Sequence, residues 1–282
     1  MKDIILDTLL DSVKLLPFLF VAFLIMEYIE HKFSNKGKEK ISKAGKYGPI
    51  LGSILGAFPQ CGFSVMVTNL YATRIISVGT LISIYLSTSD EMLPILISEK
   101  ASISVIVKFL VIKILIGMLS GILIDFVLRK KENKKMNKIK DFCDEHKCNC
   151  SHGIIKSAIK HTINIMLFLL IITFILNLGF HYLGYDKISK LFLKGNLFSS
   201  FVSSFIGLIP NCASSVILTK LYLENVISFS SCLSGLLTSS GVALLLLFRV
   251  NESKKENFKI LLTVYLIGAL SGSIIEIINL FL

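Results

Sequence analysis

The sequence has few charged residues: Asp, Glu, Lys and Arg make up only 17% of its 282 residues, whereas 53% are hydrophobic. Apolar runs such as 103–128 and 260–282 are long enough to cross a lipid bilayer. A soluble protein would cover such segments with polar helix faces, yet 15–29 and 163–180 are apolar on every side. The composition therefore excludes a soluble globular protein and predicts an all-α integral membrane protein.

Two further absences narrow the class of protein. The longest polar stretch, 129–160, lacks the apolar residues of an independent core, so we expect no soluble catalytic domain and no enzyme. The N-terminus lacks the basic region of a cleavable signal, because Asp3, Asp7 and Asp11 stand there instead. We interpret it as the beginning of the first membrane helix and expect function within the bilayer.

The net charge of +11 comes mainly from three basic loops, 31–46, 129–160 and 249–259. Basic loops stay on the cytoplasmic side of a membrane protein. The charge is therefore a topology signal, and nucleic acid is not an expected partner. We predict a multi-pass protein of the plasma membrane with its central linker in the cytoplasm.

An internal repeat organises the chain. A shift of 151 positions aligns 56–96 with 207–247 at fifteen identities in forty-one positions, without gaps, and pairs 116–125 with 267–276. The chain is thus predicted to consist of an N-terminal membrane repeat, a cytoplasmic linker and a C-terminal membrane repeat, at 1–131, 132–156 and 157–282. The basic loops place the two repeats, of about five helical segments each, in inverted orientation, which is typical of alternating-access transporters.

Each repeat is expected to contain two broken helices. Pro59 removes a helical donor beside Gly56 and Gly62, and the small polar residues of 87–94 and 238–241 interrupt apolar runs. Broken or re-entrant helices at membrane depth are tolerated beside a cavity. Interruptions in opposed halves would therefore enclose one site.

The motifs FPQCGFS and IPNCASS bring thiol, amide and hydroxyl groups to these breaks. A helix N-terminus near each cysteine favours the thiolate, whereas burial opposes it. Thiolates suit As(III), Cu(I) or Zn(II), while amides and hydroxyls suit Mn(II); packing cysteines are the alternative. The predicted substrate-binding residues are Pro59, Gln60, Cys61, Ser64, Pro210, Asn211, Cys212 and Ser215.

Asp90 and Glu91 are carboxylates within an apolar segment that have no acidic counterparts in the second half. Such residues bind a cation or carry a coupling proton, unless they cap a re-entrant helix. Lys113 could pair with one of them, whereas Arg74 is expected to extend toward the interface near a helix end. Asp125 and Glu276 recur in register, which favours a structural or gating role for both.

The central linker carries five sulfur and nitrogen donors that could hold one zinc-like ion, although their spacing matches no defined zinc module. In the reducing cytoplasm, thiols favour metal over disulfide. The alternative is a disordered basic tether. The predicted ligands are Cys143, His146, Cys148, Cys150 and His152.

The PQC and PNC motifs, the five-plus-five hydrophobic segments and the Cys/His linker resemble the ten-helix heavy-metal exporter family, described as arsenic efflux proteins or manganese transporters. The resemblance covers nearly the whole chain and is strongest at 56–96 and 207–247. It implies export of a metal or metalloid ion without a required cofactor, with Pro59 to Cys61 and Pro210 to Cys212 as the site.

Two alternatives remain at this point. In a thiol–disulfide electron conduit, two repeat-related cysteines beside prolines would shuttle electrons across the bilayer. A channel or organic-solute permease could share the inverted topology. The intramembrane carboxylates and the Cys/His linker favour ion export over the conduit.

Overall fold

The computed structural model describes residues 47–57, 61–89, 92–132, 197–210 and 212–281, together with single helical residues at 20, 24 and between 159 and 174. These ranges are helical, and no strand occurs within them. We number their helices α1 to α10: Gly48–Gly56, Cys61–Ala72, Val78–Ser87, Met92–Ser98, Ile103–Glu132, Leu197–Gly207, Cys212–Leu223, Phe229–Thr238, Ala243–Val250 and Lys254–Phe281.

The helix bounds repeat with the spacing of the sequence repeat. Helices α2 and α7 begin at Cys61 and Cys212, and α3 and α8 end at Ser87 and Thr238, 151 positions apart in both cases. The helices α4 and α9, and likewise α5 and α10, also begin at equivalent positions. The same pattern of apolar runs and breaks therefore produces the same five helices twice.

The turns that follow α2 and α7 are built alike. Arg74 and Asn225 have left-handed backbones with φ of 61° and 58°. In the first turn Ile75 N donates to Leu70 O at 3.0 Å, and at the equivalent place Val226 N donates to Leu221 O at 2.8 Å. These bonds satisfy carbonyls that the helix end would leave without partners.

Small residues let the long helices α5 and α10 approach the short helices α3 and α8 closely. A Cβ on Gly121 of α5 would lie 2.6 Å from the carbonyl oxygen of Gly79. A Cβ on Gly272 of α10 would lie 2.9 Å from the carbonyl oxygen of Ser230. Glycines at helix contacts are typical of membrane proteins, in which close backbone packing replaces the hydrophobic effect between helices.

The interior of the described bundle is formed by α3 and α8, which are buried from Gly79 to Ser87 and from Ser230 to Thr238. The long helices present apolar side chains to the outside; Leu119 and Leu270 are more than half exposed. In the described residues, three segments are long and apolar enough to cross a bilayer: Ile103–Leu128, Phe229–Val250 and Lys254–Phe281. The described part of the chain is thus a helical bundle with an apolar exterior, as expected of a membrane protein.

Candidate functional site

The two cysteine motifs stand at equivalent helix beginnings. Helices α2 and α7 begin at Cys61 and Cys212, after α1 and α6 have ended at Gly56 and Gly207. Pro210 lies in the turn before α7 and is partly buried. The structure does not describe the side chains of the two cysteines. It also does not describe three other predicted residues, Pro59, Gln60 and Asn211.

In the first half, the motif helix is joined to the second interruption. The Ser64 hydroxyl of α2 shares a 3.1 Å hydrogen bond with the hydroxyl of Thr88, which caps the C-terminal end of α3. Both residues are buried. The predicted binding residue Ser64 therefore contacts the end of the broken helix.

In the second half, the corresponding contact is made one residue earlier. The hydroxyl of Ser214 lies 3.5 Å from that of Ser239, the residue that caps α8. The predicted residue Ser215 is buried beside it, and its carbonyl accepts a 2.7 Å hydrogen bond from Thr219. Both motif helices thus meet the end of a neighbouring helix through paired hydroxyls.

Lys113 brings the interruptions of the two halves together. Its ammonium is buried, with 1% of the residue exposed, and it donates to the carbonyl oxygen of Thr88. It also donates to the carbonyl oxygen of Leu236, at 2.8 Å, in the last turn of α8. One side chain of α5 therefore binds the C-terminal ends of the equivalent helices α3 and α8.

A second polar contact crosses between the halves nearby. The phenol of Tyr85 shares a 2.6 Å hydrogen bond with the Thr68 hydroxyl and lies 3.4 Å from the carbonyl oxygen of Ala243, the first residue of α9. All three residues are buried. The center of the bundle is therefore lined by hydroxyls and helix-end carbonyls from both halves.

The carboxylates that recur in register, Asp125 and Glu276, support helix beginnings. Asp125 accepts from the Ser77 hydroxyl at 2.6 Å and from Gly79 N at 2.9 Å, at the N-terminus of α3. Glu276 accepts from the hydroxyl of Ser228, at 2.9 Å, at the N-terminus of α8. A carboxylate is favourable at that end of a helix, so these contacts are compatible with the predicted structural or gating role.

Arg74 makes a bidentate ion pair that sequence reasoning missed. Its two terminal nitrogens each lie 2.7 Å from an oxygen of Glu256, and Tyr71 donates to the same carboxylate. Asn251 accepts from Arg74 at 3.4 Å. The hydrogen bond to Glu256 raises the pKa of Arg74, so the guanidinium stays charged. Arg74 was expected near a helix end, where it lies, but its contact with the other half was not foreseen.

Hydrogen bonds of two asparagines extend this cluster. The Asn257 amide donates to the carbonyl oxygens of Leu247 and Asn251, at 3.2 and 3.1 Å. Both asparagines are buried. Glu256 and Asn251 lie 182 and 177 positions from Arg74, so no local pattern in the sequence identifies them as its partners.

Among the described residues, no three His, Cys, Asp or Glu side chains come together as a metal site would require. The predicted coupling residues Asp90 and Glu91 lie outside the described residues, and so does the whole predicted linker site. The linker ligands that stay predictions are Cys143, His146, Cys148, Cys150 and His152.

These features define a helical membrane protein whose halves meet at a buried polar center. The profile of the family described as "Putative, 10TM heavy-metal exporter" matches residues 1–181, well over half of the chain. The chain therefore belongs to this heavy-metal exporter family (ArsP_2). No curated protein and no solved structure matches it. The description of this family supports a metal exporter as the class of the protein.

Proposed function

We propose that this protein exports a heavy-metal or metalloid ion across the plasma membrane by alternating access of two inverted repeats. The observation that carries the proposal is the convergence of the two interrupted helices α3 and α8 on Lys113. Helix ends at membrane depth offer free backbone groups to an ion. The family membership supplies the substrate class, and the two central helix ends supply a place for the ion.

The contacts at the two ends of the long helices support the inverted orientation of the two repeats. Near the C-terminal end of α5, Asp125 binds the α2–α3 turn, and that turn contacts Glu256 at the beginning of α10. At the other end, Glu276 near the C-terminus of α10 binds Ser228. The adjacent Phe229 packs against Phe109, in the first turns of α5, at 4.4 Å between rings. Helices α5 and α10 therefore run in opposite directions.

The proposed ion site combines both motifs with the carboxylates that follow α3. Gln60, Cys61, Asn211 and Cys212 adjoin the beginnings of α2 and α7, and their helices reach the ends of α3 and α8 through Ser64 and Ser214. Asp90 and Glu91 come two and three residues after Thr88 in the chain, and we assign them the negative charge of the site. A soft ion would use the thiolates, whereas Mn(II) would use the amide, hydroxyl and carboxylate oxygens.

We assign the central linker a separate role in delivering or sensing metal. Its cysteines and histidines lie within ten residues, 143–152, on the predicted cytoplasmic side. An isolated linker peptide should bind Zn(II) through these groups and release protons on binding. Isothermal titration of that peptide against one with serine and alanine at the five positions tests the assignment; equal heats would reject it.

The export proposal is tested in cells that lack this chain and in cells that carry it. Growth is measured against arsenite, Mn(II), Zn(II) and copper salts, with the intracellular content of each element determined. The wild-type chain should lower the content of the transported element. Substituting Cys61 or Cys212 by alanine should abolish this effect for a thiophilic ion and weaken it little for Mn(II).

Cys232→Ala is the matched control, because Cys232 is buried in α8 and its thiol donates only a weak 3.5 Å hydrogen bond to Leu218 O. It should export like the wild type. An unchanged content of every element would reject export. A mixed disulfide trapped by either motif-cysteine variant would instead favour the electron conduit.

A further inference from the structure

We propose that the cavity between the long helices α5 and α10 binds one anionic phospholipid, with an acyl chain between the helices and the phosphate at Lys255 and Lys259. The cavity has a volume of about 620 Å³, within the range of roughly 300–1,000 Å³ that small-molecule sites occupy. None of its lining residues belongs to the polar center around Lys113. The lipid site is therefore separate from the proposed ion site.

One part of the cavity is apolar. Its walls include Ile82 of α3, Leu123 and Val127 of α5, and Leu262 of α10. Leu123 and Val127 lie one helical turn apart on one face of α5, and they are 63% and 66% exposed. The groove therefore opens toward the surrounding lipid. Because these side chains carry no hydrogen-bonding groups, the walls suit a hydrocarbon chain and not a hydrated ion.

Another part of the cavity carries positive charge. Lys255 and Lys259 lie one turn apart at the beginning of α10, and both line the cavity and are exposed. In the described part of the chain neither lysine forms an ion pair, and the neighbouring carboxylate of Glu256 is already paired with Arg74. The N-terminal end of α10 adds the positive end of a helix dipole. This part therefore presents two uncompensated ammonium groups to a phosphate.

The change from apolar to charged walls falls where a phospholipid changes in the same way. The membrane-spanning segment of α5 ends at Leu128, which lines the cavity, and 129–131 are basic. On α10, seven residues separate Leu262 from Lys255, about 10 Å along the helix axis. The lysines thus lie at the membrane surface that is predicted to be cytoplasmic. Basic pockets between membrane helices on that side bind anionic head groups.

Two other occupants fit this cavity less well. Inorganic phosphate would contact the lysines but leave the apolar walls exposed. A second copy of this chain would bring the same net charge of +11 to a basic surface, and like charges repel. A bound lipid, by contrast, joins α5 of one half to α10 of the other, beside the ion pair of Arg74 and Glu256. Its binding should therefore stabilise the folded protein.

The experiment measures lipid binding by native mass spectrometry of the full-length protein, delipidated in detergent. Phosphatidylglycerol and phosphatidylcholine with identical acyl chains are the probes, because they differ in the net charge of the head group. Phosphatidylglycerol should bind at least about fivefold more tightly. It should also raise the midpoint of thermal unfolding more than phosphatidylcholine does.

Lys255→Gln and Lys259→Gln test the charged part of the cavity. Each should weaken phosphatidylglycerol binding about fivefold and leave phosphatidylcholine binding unchanged. Both lysines are exposed, so the variants should fold, and either single variant decides if the double variant does not. Val127→Trp places an indole in the apolar groove and should weaken the binding of both lipids.

Lys108→Gln is the matched control. It removes the same charge from an exposed position of α5, 15 residues before Leu123 and thus roughly 22 Å away along the helix axis. It should bind both lipids like the wild type. An equal loss in this variant would mean that the lipid responds to the overall charge of the protein, which would overturn the inference.

Three further results would overturn it. The first is equal affinity of the wild type for the two lipids, and the second is wild-type binding by the variant that lacks both lysines. The third is equal stabilisation by inorganic phosphate, or a protein dimer that Val127→Trp dissociates, because the occupant would then be a free anion or a second copy. None of these results bears on export, which the element content of cells tests separately.

Discussion

The two halves of the molecule are alike in their helix packing and differ in several of their charged residues. Ser77 and Ser228 begin equivalent helices and bind Asp125 and Glu276, respectively. Conversely, Lys113 has Val264 as its counterpart, and Arg74 has Asn225. The features that both halves share stabilise the fold, so the charged residues found in one half alone are the candidates for function. The four predictions below test this division.

The largest effect is expected from the glycines at the α5–α3 and α10–α8 contacts. Gly121→Leu and Gly272→Leu would each drive a side chain into backbone atoms of the neighbouring helix, because a Cβ already meets carbonyl oxygens at 2.6 and 2.9 Å. Such overpacking costs about 1–3 kcal/mol or more. Thermal unfolding in detergent should show comparable losses for both variants. Leu119→Ala, at a position 57% exposed, is the control and should change stability little.

The next effect concerns the carboxylates at the helix beginnings. Asp125→Ala removes the acceptor for Ser77 and Gly79 N and should cost about 1–3 kcal/mol. Glu276→Ala removes the acceptor for Ser228 and should cost about 1 kcal/mol. In a double-mutant cycle measured by thermal unfolding, Ser77→Ala and Asp125→Ala should be coupled. Additive losses would mean that Asp125 supports the fold in another way.

A smaller effect is expected from the ion pair between the halves. Arg74→Asn installs the residue of the second half and should cost about 1 kcal/mol, because the Arg74 side chain is 38% exposed and solvent screens the pair. Glu256→Gln should cost a similar amount, and the double variant little more. Arg74→Lys keeps the charge without the bidentate geometry, so its stability should lie between those of the wild type and Arg74→Asn. A double variant that loses the sum of both single effects would disprove the pairing.

The smallest effect is expected at Lys108, whose ammonium lies over the ring of Phe229 at 4.5 Å. Lys108→Met should cost about 0.5 kcal/mol, the value of an exposed cation–π contact. Its thermal unfolding should be nearly that of the wild type. A loss greater than that of Arg74→Asn would show that charges at helix ends contribute to the scaffold after all.

Much of the fold follows from local sequence. Pro59 and its neighbouring glycines were expected to interrupt a helix, and the repeat of 56–96 at 207–247 anticipated helices that begin near Cys61 and Cys212, as they do. The equivalence of Asp125 and Glu276 likewise indicated a structural or gating role, with which their contacts are compatible. The predicted substrate contacts, inversion and linker metal remain predictions.

The cross-half contacts could not be read from the sequence. Lys113 was expected to pair with Asp90 or Glu91, which lie outside the described residues, so that pairing stays a prediction. Its contacts with the carbonyls of Thr88 and Leu236 could not be foreseen, because every residue possesses a carbonyl. Arg74 and Glu256 meet because the turn after α2 lies beside the beginning of α10, and no pattern in either segment specifies that neighbour. Long-range contacts of this kind depend on the assembled bundle.

The separation of Arg74 from Glu256 also constrains biosynthesis. The two residues are 182 positions apart, and Glu256 belongs to α10, the last helix of the described chain. A ribosome must therefore add almost two thirds of the polypeptide after Arg74 before its carboxylate partner emerges. The first repeat enters the membrane before this ion pair can form, and the pair forms when the final helix inserts.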